Sequence, residues 1–351
     1  MHNMDLHNIL VIKLRYIGDV LLATPVLRAL REAFPTARLT MAVNRGTEDI
    51  LKENPDLDEV LVVDRAGPAA NLRFLREVRR RWFDCAIDLT DGDRSAVMAW
   101  ASGARIRIGF NDEHRWRGRL YTSVVTSQAT HRVDRDLTVF QALGLTPAYG
   151  PPVLRTSPEE EMEVIELLEG LGVGNTSDAS HRPLVLIHPG ARYWFKAWPV
   201  ERFAELSDRL SDTYGCRVLV GGAEQDRKAG EAIYARARSA PILLAGHTDL
   251  RQFAAILKRC TLFIGHDTGA MHIAAAVGTS IVALFGPSDP AEWAPRGRHV
   301  SILYKGLDCR PCFHPTCERG EENCMRQISV DEVYKAASKW MALKETVGER
   351  A

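Results

Sequence analysis

Short apolar runs alternate with longer amphipathic stretches along almost the whole chain. The runs at 8–14 (NILVIKL), 39–43, 60–63 and 85–89 are rich in Val, Ile and Leu and read as strands. Between them, 19–33 and 72–81 have helical spacing, the first stopped by Pro35. The pattern breaks at 144–158, where Gly144, Pro147, Gly150, Pro151, Pro152 and Pro158 mark a linker or domain start. It then restarts, with strands at 184–188, 217–220, 242–244, 262–264 and 281–284 and helices at 200–214 and 330–343. Apolar strands alternating with helices predict parallel sheets covered on both faces. The restart predicts two of them, so the chain reads as α/β with two doubly wound domains, 1–150 and 151–329. A terminal helix in 330–351 is expected to pack back toward the first domain.

The length of 351 residues suits two such domains. With 45 basic and 45 acidic residues the formal charge is zero, which argues against a nucleic-acid binder. No apolar run approaches the ~20 residues needed to span a bilayer. The opening MHNMDLHN has no basic region followed by an apolar stretch, so no signal peptide is read there. The expectation is a cytoplasmic protein that meets any membrane-attached substrate at the surface.

In open parallel sheets ligands bind beyond the carboxyl ends of the strands, which directs attention to three loops. Lys13-Leu-Arg-Tyr-Ile-Gly-Asp19 runs from the first strand into the first helix. Gly18 allows a tight turn there, and Asp19 falls in the first helical turn. Asp19 reads either as an ordinary helix cap or as a carboxylate able to take a proton from an attacking hydroxyl. Arg15 in the same loop is a candidate acceptor contact. His188-Pro-Gly-Ala-Arg-Tyr-Trp-Phe-Lys196-Ala-Trp-Pro199 follows a strand in the second half. Gly190 lets backbone approach a ligand, while Arg192 and Lys196 bring positive charge to a phosphate or simply face solvent. Tyr193, Trp194, Phe195 and Trp198 stack on a base or pack, with packing the simpler reading.

The third loop is Gly265-His-Asp267-Thr268-Gly269-Ala-Met-His272. Here Asp267 or Thr268 is placed to cap a small-residue helix whose amides would bind an anion such as a pyrophosphate. The plain alternative is a capped helix with His272 in its core. Gly286-Pro-Ser-Asp-Pro290 would line the same rim. Neither a G-x-x-x-x-G-K-[ST] loop nor a G-x-G-x-x-G after the first strand is present, which weakens P-loop and dehydrogenase readings.

Together these motifs, above all the D-T-G-x-x-H core and the G-D-V-L-L-x-T-P segment, resemble the lipopolysaccharide heptosyltransferases, glycosyltransferase family 9. The likeness runs from Ile9 to the last helix. Two further stretches, Asp88-Leu-Thr-Asp91 and Ala191-Arg-Tyr-Trp-Phe-Lys196-x-Trp198, resemble the heptosyltransferase III branch. The resemblance implies a GT-B fold of two Rossmann-like domains facing a cleft. It also implies inverting transfer of heptose from ADP-heptose to the inner core of lipopolysaccharide at the inner-membrane surface, without an essential metal. On that likeness Asp19 is the base, Lys196 neutralises the departing diphosphate and Asp267 holds the heptose hydroxyls. Thr268 and Gly269 donate amides to the phosphates, and His272 supports the same site.

The stretch 105–119 holds five arginines against two acids. It reads as a solvated face or, through Arg115, Arg117 and Arg119, as a contact for an anionic acceptor. Cys309-x2-Cys312-x4-Cys317-x6-Cys324 suggests a structural zinc site, with His314 a substitute ligand and free thiols the alternative. Cys85, Cys216 and Cys260 read as buried thiols. Two other functions fit the same motifs: a non-catalytic protein binding a nucleotide sugar or lipopolysaccharide, and a GT-B enzyme using a different sugar.

Overall fold

The computed structural model describes residues 5–64, 67–173, 182–309, 312 and 316–348, apart from the side chains at 68–71 and 343–348. The chain divides into two compact units, Met1–Arg155 and Thr156–Ala351, with the division falling inside the Pro-rich stretch.

In the first unit six strands form a wholly parallel sheet: β1 (Asn8–Lys13), β2 (Arg38–Asn44), β3 (Glu59–Val63), β4 (Cys85–Asp88), β5 (Ile106–Phe110) and β6 (Ser123–Val125). Their order is β3-β2-β1-β4-β5-β6. β1 is central and buried from Ile9 to Lys13, as an apolar strand covered on both faces must be. The helix expected over 19–33 is two helices, α1 (Ile17–Leu22) and α2 (Thr24–Ala33), parted at Ala23. Pro25 occupies the first turn of α2, where its missing N–H costs nothing. Gly18 therefore lies inside α1 and not at a turn. Three more helices follow: α3 (Gly67–Arg80), α4 (Asp93–Ala101) and α5 (Arg132–Leu137).

The second unit opens with α6 (Pro158–Gly170), started by a capping box. The Ser157 hydroxyl accepts from Glu160 N–H at 3.3 Å, and the Glu160 carboxylate accepts from Ser157 N–H at 2.9 Å. Its six parallel strands are β7 (Leu184–His188), β8 (Arg217–Val220), β9 (Ile242–Leu243), β10 (Leu262–His266), β11 (Ser280–Phe285) and β12 (Val300–Tyr304). Their order is β12-β11-β10-β7-β8-β9, the same winding repeated. The intervening helices are α7 (Val200–Tyr214), α8 (Arg227–Tyr234), α9 (Leu250–Arg259), α10 (Gly269–Ala276) and α11 (Pro290–Trp293).

The chain closes with α12 (Val330–Gly348). Its described buried side chains join the core of the second unit. Val330, Val333, Ala337, Trp340 and Met341 join one core with Phe203, Leu206 and Leu210 of α7, and Trp340 Nε1 donates to Ser301 at 2.9 Å. Their spacing makes one apolar helical face, and its complement is on α7, β10 and β11.

Candidate functional site

Each sheet reverses its winding beside its first strand, at β1/β4 and at β7/β10, so the loops leaving those strands are where a ligand would be met. In the first unit, Asp19 occupies the third position of α1. The residue before the helix is Tyr16, and no side chain caps it. Asp19 is half-buried and, among the described residues, takes no hydrogen bond or ion pair. The capping alternative for this carboxylate is therefore not realised.

The β4 loop braces the start of the same connection, at Leu14 and Arg15. Asp88 is buried, and its carboxylate accepts from Tyr121 OH at 2.7 Å and from Thr90 N–H at 2.8 Å. Burial pushes that carboxyl above its usual range, against the pull of these hydrogen bonds. Thr90 in turn accepts from Leu14 N–H at 2.8 Å. Arg15, read from sequence as an acceptor contact, is exposed but spends two donors on the Thr90 carbonyl, at 3.1 and 2.9 Å. Asp91 has a left-handed backbone, φ 58°, and is held by Arg117 at 2.8 Å and Arg135 at 2.9 Å.

The arginine-rich stretch splits by side. Arg117 is only 2% exposed and is ringed by Asp91, Asp93 and Glu113. Its expected role as an acceptor contact is corrected: its guanidinium faces three protein carboxylates. Arg115, paired with Glu113 at 2.5 Å, and Arg119 are exposed and line an open concavity of about 530 Å³ with His114, Thr126 and Ser127.

In the second unit the loop from β7 to α7 holds Lys196 at the end of a short 3-10 turn, Trp194–Lys196. Lys196 Nζ donates to the Ser288 hydroxyl at 2.7 Å and lies 3.7 Å from the Asp267 carboxylate. Ser288 belongs to the loop after β11, so three strand-end loops meet at one ammonium. Asp267 ends the β10 loop, and Thr268 occupies the cap position of α10 without a side-chain cap bond. The Thr268 hydroxyl is buried without a partner among the described residues. Neither expected cap is made, and the amides opening α10 meet no capping side chain. His272 lies on the same helix, 4% exposed.

The aromatics mostly pack. Phe195 and Trp198 are buried, Tyr193 stacks on Phe195 at 5.4 Å, and Trp194 stays 57% exposed. Arg192 is exposed, with its guanidinium 5.4 Å from the Tyr193 ring centre. Gly190 is closely packed. A Cβ there would collide with Asp226 and His188, so its close approach is to protein. His188 and His266, both buried strand-end histidines, are each pushed down to about 4, mainly by burial.

The cysteine-rich stretch is partly outside the described residues, His314 included. Cys309 is exposed, and Cys312, Cys317 and Cys324 are partly buried. Burial, then the neighbouring Cys312, pushes the Cys324 thiol up. Among the described residues no group of three or more His, Cys, Asp or Glu side chains is assembled to hold a metal ion. The spacing that suggested zinc thus gains no geometric support.

His188, His266 and Ser288 lie inside the loops that the motifs mark but were given no role of their own, and Asp226, six residues beyond β8, lay outside every motif.

Residues 71–322 match the family model for glycosyltransferase family 9 (heptosyltransferase). Lipopolysaccharide heptosyltransferase 3 of Escherichia coli K12 is 30% identical over 304 residues, 84% of this chain and 86% of the relative. Among solved structures, a glycosyl transferase family 9 protein from Veillonella parvula superposes with a TM-score of 0.85 at 27% identity, covering 97% of this chain and 99% of that one. The E. coli ADP-heptose lps heptosyltransferase II gives 0.79 at 24% identity, covering 96% and 99%. No helix among the described residues is long and apolar enough to cross a membrane.

Proposed function

The chain belongs to glycosyltransferase family 9, the heptosyltransferases, and from that premise we propose that it moves a heptose from ADP-heptose to the inner core of lipopolysaccharide, adding the branching heptose. The observation that carries this reading is Lys196, whose ammonium stands between Ser288 and Asp267 beside the uncapped start of α10. An ammonium beside a helix start that no side chain caps is suited to a diphosphate, which needs charge compensation and several N–H donors at once.

The reaction is a single inverting displacement. Asp19 takes the proton from the attacking acceptor hydroxyl, since among the described residues its carboxylate has no partner to satisfy. Lys196 and the amides of Thr268 and Gly269 hold the diphosphate and stabilise the charge that builds on departing ADP. Asp267 accepts from the heptose hydroxyls, His272 supports the helix start, and Arg192 reaches the donor from the loop surface. Most of the rate gain comes from positioning and charge stabilisation. Arg115 and Arg119 meet anionic groups of the acceptor, which is presented at the cytoplasmic face of the inner membrane. None of these steps is routed through a metal.

The test is to incubate the protein with ADP-heptose and a core-truncated lipopolysaccharide and weigh the product. A mass gain of one heptose with release of ADP is expected. ADP binding without transfer would make the protein a binding module instead, and transfer only from another nucleotide sugar would change the donor.

A further inference from the structure

His266, the last residue of β10, has no part in the chemistry above, yet it ties the donor loops together. Its ring is 1% exposed. Nδ1 lies 2.9 Å from the Gly190 carbonyl oxygen, and Nε2 lies 2.8 Å from the Trp198 amide nitrogen. A carbonyl only accepts and an amide N–H only donates, so the ring carries its proton on Nδ1 and offers a lone pair at Nε2. Both nitrogens are thereby satisfied in one neutral tautomer.

The two backbone groups are the neck of the loop joining β7 to α7, and Arg192 and Lys196 lie between them. The ring is wedged edge-on to Phe203 at 5.5 Å, and Phe203 is edge-on to Trp198 at 4.8 Å. Inside the neck the turn is closed by Lys196 N–H to Tyr193 O at 2.9 Å and Ala197 N–H to Trp194 O at 3.1 Å. The residue after His266 is Asp267, whose carboxylate lies 3.7 Å from Lys196. One imidazole is therefore bonded to both ends of the lysine loop and covalently next to the carboxylate that the lysine faces.

We infer that His266 is a positioning residue of the donor site, the buckle that holds Lys196 in register with Asp267 and Ser288 for a nucleoside diphosphate sugar. The inference rests on the donor-site reading given above. Without the buckle the loop still folds back onto Phe195 and Trp198, but its neck is free to open and Lys196 samples positions off the diphosphate. The ring acts only through its two hydrogen bonds, so substitutes that restore one bond restore part of the effect. Asn carries an N–H where Nδ1 was, facing Gly190. Gln carries an oxygen near the old Nε2, facing the Trp198 amide.

The experiment uses the full chain and four variants, His266→Ala, His266→Asn, His266→Gln and Lys196→Ala, plus the double variant His266→Ala/Lys196→Ala. ADP affinity is read by calorimetry, donor and acceptor KM and kcat by ADP release, and folding by thermal melting. His266→Ala is expected to weaken ADP binding and raise donor KM by about ten- to a hundredfold while acceptor KM holds. Asn and Gln are each expected to recover part of this. The double variant is expected to be no weaker than Lys196→Ala alone, because the histidine acts through the lysine. A lowered melting temperature with unchanged ADP affinity and donor KM in the histidine variants would overturn the inference and leave His266 a packing residue. Unchanged ADP affinity in Lys196→Ala would overturn the donor-site reading itself. Should His266→Ala fail to fold, Asn and Gln carry the same comparison.

Discussion

A lysine in a core strand demands a partner, and Lys13 has two: Asp136 at 2.6 Å and the Leu89 carbonyl at 3.0 Å, with the pair fully buried. Deleting the carboxylate strands an ammonium away from water. Asp136→Ala is therefore expected to lower stability by about 3–5 kcal/mol, whereas replacing both partners with apolar residues of similar volume costs far less. Denaturant midpoints of the two variants check this, and equal losses would show that the charge is not the cause. At Asp19 the expectation is opposite in kind. Asp19→Ala should leave ADP affinity intact and cut transfer by about a hundred- to ten-thousandfold. Equal loss of ADP binding would remove the base from the scheme. Asp267 could be singled out in the sequence because it directly follows an apolar strand, and Asp19 and Lys196 because each lies in the connection from such a strand to the next helix. Arg117 and Arg119 were not separable, because a 3-10 turn over Trp116–Leu120 decides which of them faces Asp91 and which faces solvent. Gly190 announced a close approach, but not that Asp226 and His188 were what approached.

At the scale of elements, the central strands β1, β7 and β10 could be read from their composition, since burial on both faces leaves a continuous apolar run. β6 has three residues and β12 is partly open along its length, so neither carried enough pattern. The Ser157–Glu160 box at α6 went unread inside the Pro-rich stretch and stands beside a bidentate contact from Arg251 to Glu160, at 2.9 and 2.7 Å. The strand-end histidines give their elements a pH dependence. His188 and His266 take up protons near 4 in the folded protein, but near 6.5 once unfolded. The unfolded chain thus binds more protons in between, and this contribution to stability is full above about 6.5 and drains as pH falls toward 4. Asp88 and Asp226, pushed up by burial, work in the opposite direction. The histidine share is therefore isolated by comparing melting of wild type and His266→Gln at pH 7.5 and 4.5. The variant should lose less than wild type over that step, and identical losses would exclude His266 as a contributor.

For the molecule as a whole, the doubling of one winding was the most legible feature, because the strand–helix rhythm stops at a Pro-rich stretch and restarts. How charge is shared over each surface was not legible. With Arg117 turned inward, the acceptor reading rests on Arg15, Arg115 and Arg119, and Arg115→Glu/Arg119→Glu is expected to raise acceptor KM about tenfold and spare donor KM. Added salt should erode the wild-type advantage, because both side chains are exposed. An unchanged acceptor KM would make that concavity a bystander.

The place of α12 in the second core bears on how the protein is made. Every strand of the second sheet has been synthesised once Tyr304 is joined, yet Phe203, Leu206 and Leu210 still lack the cover that Val333, Ala337 and Trp340 provide. The first unit has a core of its own and needs none of these residues to close it. The second cannot cover that face until 330–341 has been made, so a chain cut before Val330 is expected to leave it bare and to aggregate.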